Sequence, residues 1–266
     1  MDPFRQEMTY EEFLDFPRTL GWKHEYYNGA LHRSPAWTAI VTYRSSPQDL
    51  VKREIDRTKN GDPRFAKLLL RALVNEDHAP LLTLFFECFD QAIEYAGCLP
   101  SDRIKYAHRS LDCFFCATPS NYLDACHVAI IDGHIVGASM IAHFEHGAIL
   151  QPIFVAQKYR RQGLATLLLR ASAKMLQEQG CLVLHSRCNL GNAASTAWHI
   201  KCGFIEIPDA WSAGHRANIF SMEAERQAKL NLSTAKETSA LAEFWSGERE
   251  RLELADRTQF HPSKLA

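Results

Sequence analysis

One short segment of the chain combines residue types that could bind a phosphate group. It runs Val155-Ala156-Gln157-Lys158-Tyr159-Arg160-Arg161-Gln162-Gly163-Leu164-Ala165, a pattern that predicts a strand, a tight turn and the start of a helix. A helix N-terminus directs backbone N–H groups and partial positive charge to one point, so it attracts anions. Gly163 lets the backbone approach a phosphate closely, and Arg160 and Arg161 can donate charge-assisted hydrogen bonds. Taken alone, such a segment is more often an ordinary strand-to-helix connection with two surface arginines.

A second set of spaced residues lies downstream. Asn192-x-x-Ser195-x-x-Trp198-His199-x-Lys201-x-Gly203-Phe204 resembles the Asn-x-x-Ala-x-x-Leu-Tyr-x-Lys-x-Gly-Phe motif of the GNAT superfamily of N-acetyltransferases. Arg160-x-x-Gly163-x-Ala165 resembles that superfamily's pyrophosphate loop. The resemblance implies the α/β GNAT fold, in which a mixed, splayed central sheet flanked by helices holds acetyl-CoA between its fourth and fifth strands.

The resemblance also implies which residues contact acetyl-CoA, the expected cosubstrate. The backbone of residues 153–155 would bind the pantetheine arm, and an N–H there would stabilise the oxyanion of the tetrahedral intermediate. Asn192 would contact the CoA arm, and it could equally cap the helix predicted at 193–201. The full set implied for the cofactor is Ile153, Phe154, Val155, Arg160, Arg161, Gln162, Gly163, Leu164, Ala165, Thr166, Asn192 and Ser195.

The catalytic acid departs from the family pattern. His199 stands where the family has a tyrosine that protonates the departing CoA thiolate. An unperturbed phenol has a pKa near 10 and an imidazole one near 6.5. His199 is therefore either an acid that works at lower pH or a neutral histidine packed beside Trp198.

The general base is a second departure. Relatives often place a carboxylate on the fourth strand, and residues 148–153 contain none. Gln151 could orient a water molecule, and Glu145 and His146 at the preceding turn could act through water. The first predicted helix offers three weaker candidates, which are Glu87, Asp90 and Glu94.

Cysteine spacing raises the question of a metal site. Cys113-x-x-Cys116 followed by Cys126-His127 resembles metal-ligand spacing, but Phe114-Phe115 and the apolar strand after His127 favour buried thiols. The sequence therefore predicts no metal. Eight cysteines without an export signal are typical of reduced thiols in a cytoplasmic protein.

Charge and hydropathy restrict the partners. The net charge is −1, without a block of like charges, so nucleic acid is not expected as a partner. No apolar run approaches the roughly 20 residues that span a bilayer, so no membrane is expected either. The expected partner is a small-molecule or peptide amine that accepts the acetyl group.

Three regions are predicted along the chain. Residues 1–63 are predicted to form a helix-and-hairpin module, with strands at 25–32 and 37–43, and a linker. We expect this module to pack on the catalytic domain or on a partner. Residues 64–225 form the acyltransferase domain, and residues 226–266 form a helical tail from Thr234. Within the second region, the predicted strands lie at 67–74, 128–131, 135–144, 148–155, 182–185 and 219–222, and the predicted helices begin at 77, 164 and 193.

These patterns predict an enzyme that moves an acetyl group from acetyl-CoA to a primary amine by direct attack in a ternary complex. The alternative is a GNAT-fold module that binds acyl-CoA without turnover. A third hypothesis gives the leading role to residues 1–63, as the part that recognises a macromolecule.

Overall fold

The computed structural model describes residues 4–52, 67–89, 92–95, 98–115, 123–144 and 147–259. The strands are β1 (Arg5–Glu7), β2 (Trp22–Tyr27), β3 (Ala30–Pro35), β4 (Ile40–Ser45), β5 (Leu69–Ala72), β6 (His127–Ile131), β7 (His134–Phe144), β8 (Gly147–Val155), β9 (Leu184–Asn189) and β10 (Ile205–Ile207). The helices are α1 (Tyr10–Asp15), α2 (Pro47–Lys52), α3 (His78–Phe89), α4 (Pro100–Phe115), α5 (Leu164–Glu178), α6 (Ala193–Cys202), α7 (Ala210–Lys229) and α8 (Ala235–Gln259).

The chain divides into two compact units. The first consists of Met1–Val41, Cys188–Ala193 and Ile207–Ala266, and the second of Thr42–Arg187 with Ala194–Glu206. The sequence predicted three regions, residues 1–63, 64–225 and 226–266. These domain boundaries stay a prediction.

The first unit contains an antiparallel sheet in the order β1-β3-β2. Its β2–β3 hairpin turns at Asn28 and Gly29, whose φ angles are 50° and 68°, as the Asn-Gly pair predicted. The predicted capping box is also present, since the Thr9 hydroxyl accepts from the Glu12 N–H and the Glu12 carboxylate accepts from the Thr9 N–H.

Residues 219–222 were predicted as the last strand of the catalytic sheet, and this prediction is wrong. They lie inside α7, a helix of 20 residues. Asp209 caps its N-terminus by accepting from the Ser212 N–H at 2.7 Å. A four-residue segment with three apolar residues, such as Ile219-Phe220-Ser221-Met222, fits a strand and a helix equally well, and the flanking cap decides in favour of the helix.

A mixed seven-stranded sheet has the order β10-β4-β9-β8-β7-β6-β5. The pairs from β5 to β8 are antiparallel, and β8 pairs with β9 in parallel. The sequence placed a strand at 37–43 in a separate N-terminal module. Residues 37–39 instead form a short 3₁₀ helix, and β4 lies in the large sheet between β9 and β10.

Helices cover both faces of this sheet. Phe154 on β8 contacts Phe85 and Phe89 of α3, with ring centroids 5.6 and 5.8 Å apart. Ser139 on β7 hydrogen-bonds Ser172 of α5 at 2.7 Å. Since Phe154 pairs with Ala138, the neighbour of Ser139, the two contacts lie on opposite faces. The predicted GNAT architecture, a mixed sheet between helices, is confirmed. Among the described residues, no helix is long and apolar enough to cross a membrane.

Candidate functional site

Strands β8 and β9 pair along only part of their length. The paired residues are Ala148 with Leu184, Ile149 with His185 and Leu150 with Ser186. Strand β8 continues to Val155 without further pairing to β9. The two parallel strands therefore separate after Leu150, which produces the splay that the resemblance implied.

A β-bulge lies on β8 beside this opening. Ser139 pairs with Ile153 and Ile141 pairs with Leu150, so Gln151 and Pro152 of β8 lie opposite one residue of β7. The Gln151–Pro152 peptide bond is cis. Gln151 is exposed at this bulge, and a bulge changes the direction in which the following backbone groups point.

Backbone groups of β8 beyond the bulge face the opening. Ala156 donates its N–H to the Val136 carbonyl oxygen of β7 at 2.8 Å. In an antiparallel pair, alternate residues direct both N–H and C=O to the partner strand. Phe154 therefore faces β7, whereas Ile153 and Val155 direct their N–H and C=O groups away from it, towards the splay.

Helix α5 begins without a side-chain cap. Gly163 is the N-cap, with a φ of 89° in the left-handed region, and no side chain accepts from the first turn. Within the described part of the chain, no acceptor is present for the N–H groups of Leu164 and Ala165. A Cβ atom added at Gly163 would have no atom within 4 Å. Open space and free N–H groups at a helix N-terminus form an anion site.

The arginine pair does not act as one unit. Arg160 donates through Nε to the Val155 carbonyl oxygen at 3.0 Å and through a terminal nitrogen to that of Cys88 at 2.9 Å. These two bonds tie the loop to the end of β8 and to α3. Arg161 is exposed, with a φ of 60°. Gln162 also binds the loop itself, donating to the Lys158 carbonyl oxygen at 2.8 Å.

A side-chain contact joins the two motifs. Trp198 on α6 donates from its indole nitrogen to the Thr166 hydroxyl on α5 at 3.3 Å. The structure therefore brings the segment around Ser195–His199 next to the helix that follows the glycine loop. Asn192 lies in the first unit, directly before α6, where its N–H donates to the Asn189 carbonyl oxygen at 2.8 Å.

His199 is buried, with 2% of its surface exposed. Its Nδ1 lies 2.7 Å from the Ser195 carbonyl oxygen, and its Nε2 lies 2.7 Å from the Ser186 hydroxyl oxygen. A carbonyl oxygen only accepts, so Nδ1 carries the hydrogen and the neutral ring accepts at Nε2. Burial lowers the pKa of His199, more than the bond to the Ser195 carbonyl raises it. This geometry supports the neutral, packed histidine over an imidazolium acid at neutral pH.

Two residues near His199 were missed by the sequence analysis. Ser186 is the last residue of β9 that pairs with β8, and its hydroxyl also lies 3.3 Å from the Leu150 carbonyl oxygen. Tyr43 of β4 stacks on the His199 ring at 4.6 Å and 14°. Ser186 could have been found from the sequence, because a serine inside a buried strand needs a hydrogen-bond partner. No local pattern connects Tyr43 with a motif so far along the chain.

The residues proposed as bases or as relays to a base lie in different parts of the chain. Glu145, Asp90 and His146 lie outside the described residues. Glu87 accepts from the Gln157 N–H at 3.4 Å, so it faces the loop. Glu94 follows α3 in a 3₁₀ helix of residues Ile93–Tyr95.

An apolar cavity of about 310 Å³ lies beside α3 and α4. Its lining is mostly aromatic and aliphatic and consists of Phe85, Phe86, Phe89, Tyr95, Pro100, Arg103 and Ile104. Phe85 and Phe89 line the cavity and also contact Phe154 of β8. One aromatic cluster therefore connects the cavity with the strand that borders the splay.

Several solved structures resemble this chain. A PaiA N-acetyltransferase from Thermoplasma acidophilum, in complex with coenzyme A, is 17% identical over 52% of this chain and 89% of its own, with a TM-score of 0.43. The ribosomal-protein-S18-alanine N-acetyltransferase from Escherichia coli is 18% identical over 53% and 79%, with a TM-score of 0.41. AAC(6')-Iy, in complex with a CoA-containing bisubstrate analogue, is 18% identical over 53% and 92%, with a TM-score of 0.40. The search of curated proteins found no significant match to this chain.

The family comparison covers the segment that holds the site. Residues 81–204 match the model of the acetyltransferase (GNAT) family. This range extends from α3 to Phe204 and includes the splay, the glycine loop and His199. Residues 81–204 therefore form a GNAT acetyltransferase domain.

Proposed function

We propose that this protein transfers an acetyl group from acetyl-CoA to a primary amine by direct attack within a ternary complex. The observation that carries the proposal is the splay between β8 and β9, together with the uncapped N-terminus of α5 on the same strand–loop–helix unit. The first can hold an extended amide-bearing arm, and the second can hold its pyrophosphate.

The contacts with acetyl-CoA follow from this geometry. Ile153 and Val155 bind the pantetheine amides through their backbone groups. The N–H groups of Leu164 and Ala165 bind the pyrophosphate, and exposed Arg161 adds charge. The backbone around Phe154 and the side chains of Gln162, Thr166, Asn192 and Ser195 complete the proposed set. Arg160 stays in the proposed set and in addition holds the loop in place, since two of its donors bond to the Val155 and Cys88 carbonyl oxygens.

The proposed reaction needs few ionisable groups. The neutral amine attacks the thioester carbon, and an N–H of Ile153 or Val155 stabilises the oxyanion that forms. The C–S bond then breaks, and the CoA thiolate leaves. Gln151, exposed at the bulge, orients a water that takes the ammonium proton, and Glu145 stays a predicted base. His199 acts by holding the Ser186 hydroxyl at the start of the splay.

The cavity supports a substrate class for the amine. Aromatic walls favour an acceptor with an apolar body, because burial of apolar surface contributes about 25 cal/mol per Å². Arg103 adds one polar group that can orient such a body. We propose an arylalkyl amine or the N-terminus of an apolar peptide as the acceptor.

Two measurements on the purified chain test the function. Calorimetry should detect acetyl-CoA binding, and a free-thiol assay should then detect CoA release with an amine panel. We expect faster release with phenethylamine than with spermidine. Binding without release for any amine would favour the non-catalytic acyl-CoA module, and absence of binding would remove the proposal altogether.

A further inference from the structure

Three potential metal ligands meet on α3 and α4, outside the proposed transfer site. His78 is the first residue of α3, and His108 and Asp112 lie one turn apart on α4. His78 Nε2 lies 2.8 Å and His108 Nδ1 lies 3.5 Å from the same Asp112 carboxylate oxygen. All three ligand atoms lie within 4.8 Å of one another.

The local structure holds these residues in place. Residues four apart project from the same face of a helix, which aligns His108 with Asp112. The start of α3 is fixed by the residue before His78, since buried Asp77 accepts two bonds of 2.7 Å from the Arg71 guanidinium. The ring of Phe115 lies edge-on to the His78 ring at 4.7 Å, so it limits rotation of that imidazole.

The geometry points to a Zn²⁺ site formed by His78, His108 and Asp112. Zinc binds imidazole nitrogen and carboxylate oxygen at about 2.0–2.2 Å, so tetrahedral ligands lie about 3.3 Å apart. The separations of 2.8 and 3.5 Å are on either side of that value. Two imidazoles with one carboxylate suit zinc better than magnesium or calcium, which prefer oxygen ligands.

The exposure of the cluster supports a site that metal can enter. The side chains are 33% exposed for His78, 47% for His108 and 44% for Asp112. Solvent therefore reaches the ligand atoms, and water can fill the fourth coordination position. A hydrogen bond between His78 and Asp112 would explain the shorter distance alone, whereas a shared metal ion accounts for two imidazoles at one carboxylate oxygen.

Zinc at this position would connect two helices. His78 belongs to α3 and the other two ligands to α4, and both helices contribute residues to the apolar cavity. A bound ion would hold them together by a contact that the unfolded chain lacks, so it stabilises the fold by mass action. The sequence analysis predicted no metal from the cysteine spacing and did not consider this cluster, since His78 is distant in sequence from the His-x-x-x-Asp pair of α4.

Zinc titration of the metal-stripped full chain tests the site. We expect one equivalent of Zn²⁺ by calorimetry, a higher melting temperature with Zn²⁺ and no such increase with Mg²⁺. His108→Ala and Asp112→Asn should each weaken binding at least tenfold and abolish the temperature shift. The matched control is His134→Ala, because exposed His134 bonds to the Asp132 carbonyl oxygen and belongs to neither α3 nor α4; it should bind like the parent.

Cobalt distinguishes this site from the thiols. Co²⁺ bound by His78, His108 and Asp112 should show visible d–d bands without a thiolate-to-cobalt charge-transfer band. A charge-transfer band that disappears in Cys113→Ser would place the metal on sulfur and overturn the proposal. It is equally overturned if the parent binds no zinc, or if His108→Ala and Asp112→Asn keep the parent's stoichiometry and affinity.

Discussion

Gly163 combines two properties at one residue: a left-handed backbone and open space in front of it. Gly163→Asp should abolish acetyl-CoA binding, because its carboxylate would enter the proposed pyrophosphate site. The matched variant Gly163→Ala adds the backbone strain, about 1–2 kcal/mol for a left-handed residue, without the charge. We expect calorimetry to detect no binding for Asp and weakened binding for Ala, with parent-like circular dichroism in both. Equal affinity of Gly163→Asp and the parent would remove this loop from the site.

His199 and Ser186 are expected to act as one unit. His199→Phe removes the acceptor of the Ser186 hydroxyl bond, and Ser186→Ala removes the donor. Each variant should lower turnover by about tenfold, which corresponds to the loss of one hydrogen bond, and the double variant should be no slower than either single one. The affinity for acetyl-CoA should change less than turnover.

The pH profile separates this role from acid catalysis by His199. Since burial lowers the pKa of His199, the imidazolium is not available at neutral pH. The parent should therefore show no descending limb above pH about 6.5. A descending limb that moves to higher pH in His199→Tyr would instead show that the imidazolium is the proton donor.

Local residue patterns specified part of the candidate site. Gly163 and the helix after it were visible because a glycine and an apolar period are local signals. The role of Arg160 was not, since its two acceptors, Val155 and Cys88, belong to different elements. Ser186 and Tyr43 both contact His199 because their strands, β9 and β4, are neighbours in the sheet. Their positions require tertiary structure, which spacing along the chain does not encode.

At the scale of elements, β4 contributes a large buried side chain, that of Tyr43, to the second unit. Tyr43 has no exposed surface and stacks on His199. Tyr43→Ala should destabilise the fold by about 3–5 kcal/mol, the usual cost of removing a buried aromatic ring. Tyr43→Phe removes only a hydroxyl that lies 3.5 Å from the Thr196 oxygen, so we expect a loss below about 1 kcal/mol. Urea unfolding measures both; similar losses would contradict a packing role for the ring.

Whether a segment forms a helix or a strand was easier to predict than which strands are neighbours in the sheet. The helix at 164–178 has an apolar period and a terminal glycine, Gly180, with a φ of 74°, so its prediction is confirmed. Strand β4 has an ordinary strand pattern, but nothing local indicates that its neighbours are β9 and β10. Part of helix α7 was mistaken for a strand because its capping residues, Asp209 and Ser212, were not weighed against the apolar residues of segment 219–222.

At the scale of the whole molecule, four histidines that are wholly or partly buried link stability to pH. Burial is the main cause that lowers the pKa values of His24, His127, His199 and His215, and that of His24 falls from 6.5 to about 4. The unfolded chain binds protons at these residues before the folded chain does, so protons favour unfolding. Their stabilising contribution is complete above pH about 6.5 and decreases as pH falls below that value; for His24 the decrease continues until pH is about 4.

We expect the free energy of unfolding, measured with urea, to be smaller at pH 5 than at pH 7.5. Asp77 and Glu223 also have lowered pKa values, held down by Arg71 and Arg226, but their ordinary values are 3.8 and 4.5. Most of the stability that these two carboxylates contribute is therefore lost only at a pH lower than 5. His24→Phe should show a smaller loss between the two pH values than the parent. A stability that stays constant from pH 7.5 to 5 would contradict this assignment.

The position of β4 also affects how the protein is made. A ribosome synthesises β4 before every other strand of the seven-stranded sheet, whereas its neighbours β9 and β10 are synthesised last. During most of translation both hydrogen-bonding edges of Ile40-Val41-Thr42-Tyr43 are therefore open, and such a segment is prone to pair with other chains. The sheet can close only once Ile207 has left the exit tunnel. Slowing translation should thus increase aggregation of the nascent chain, in contrast to a domain whose strands pair in the order of their synthesis.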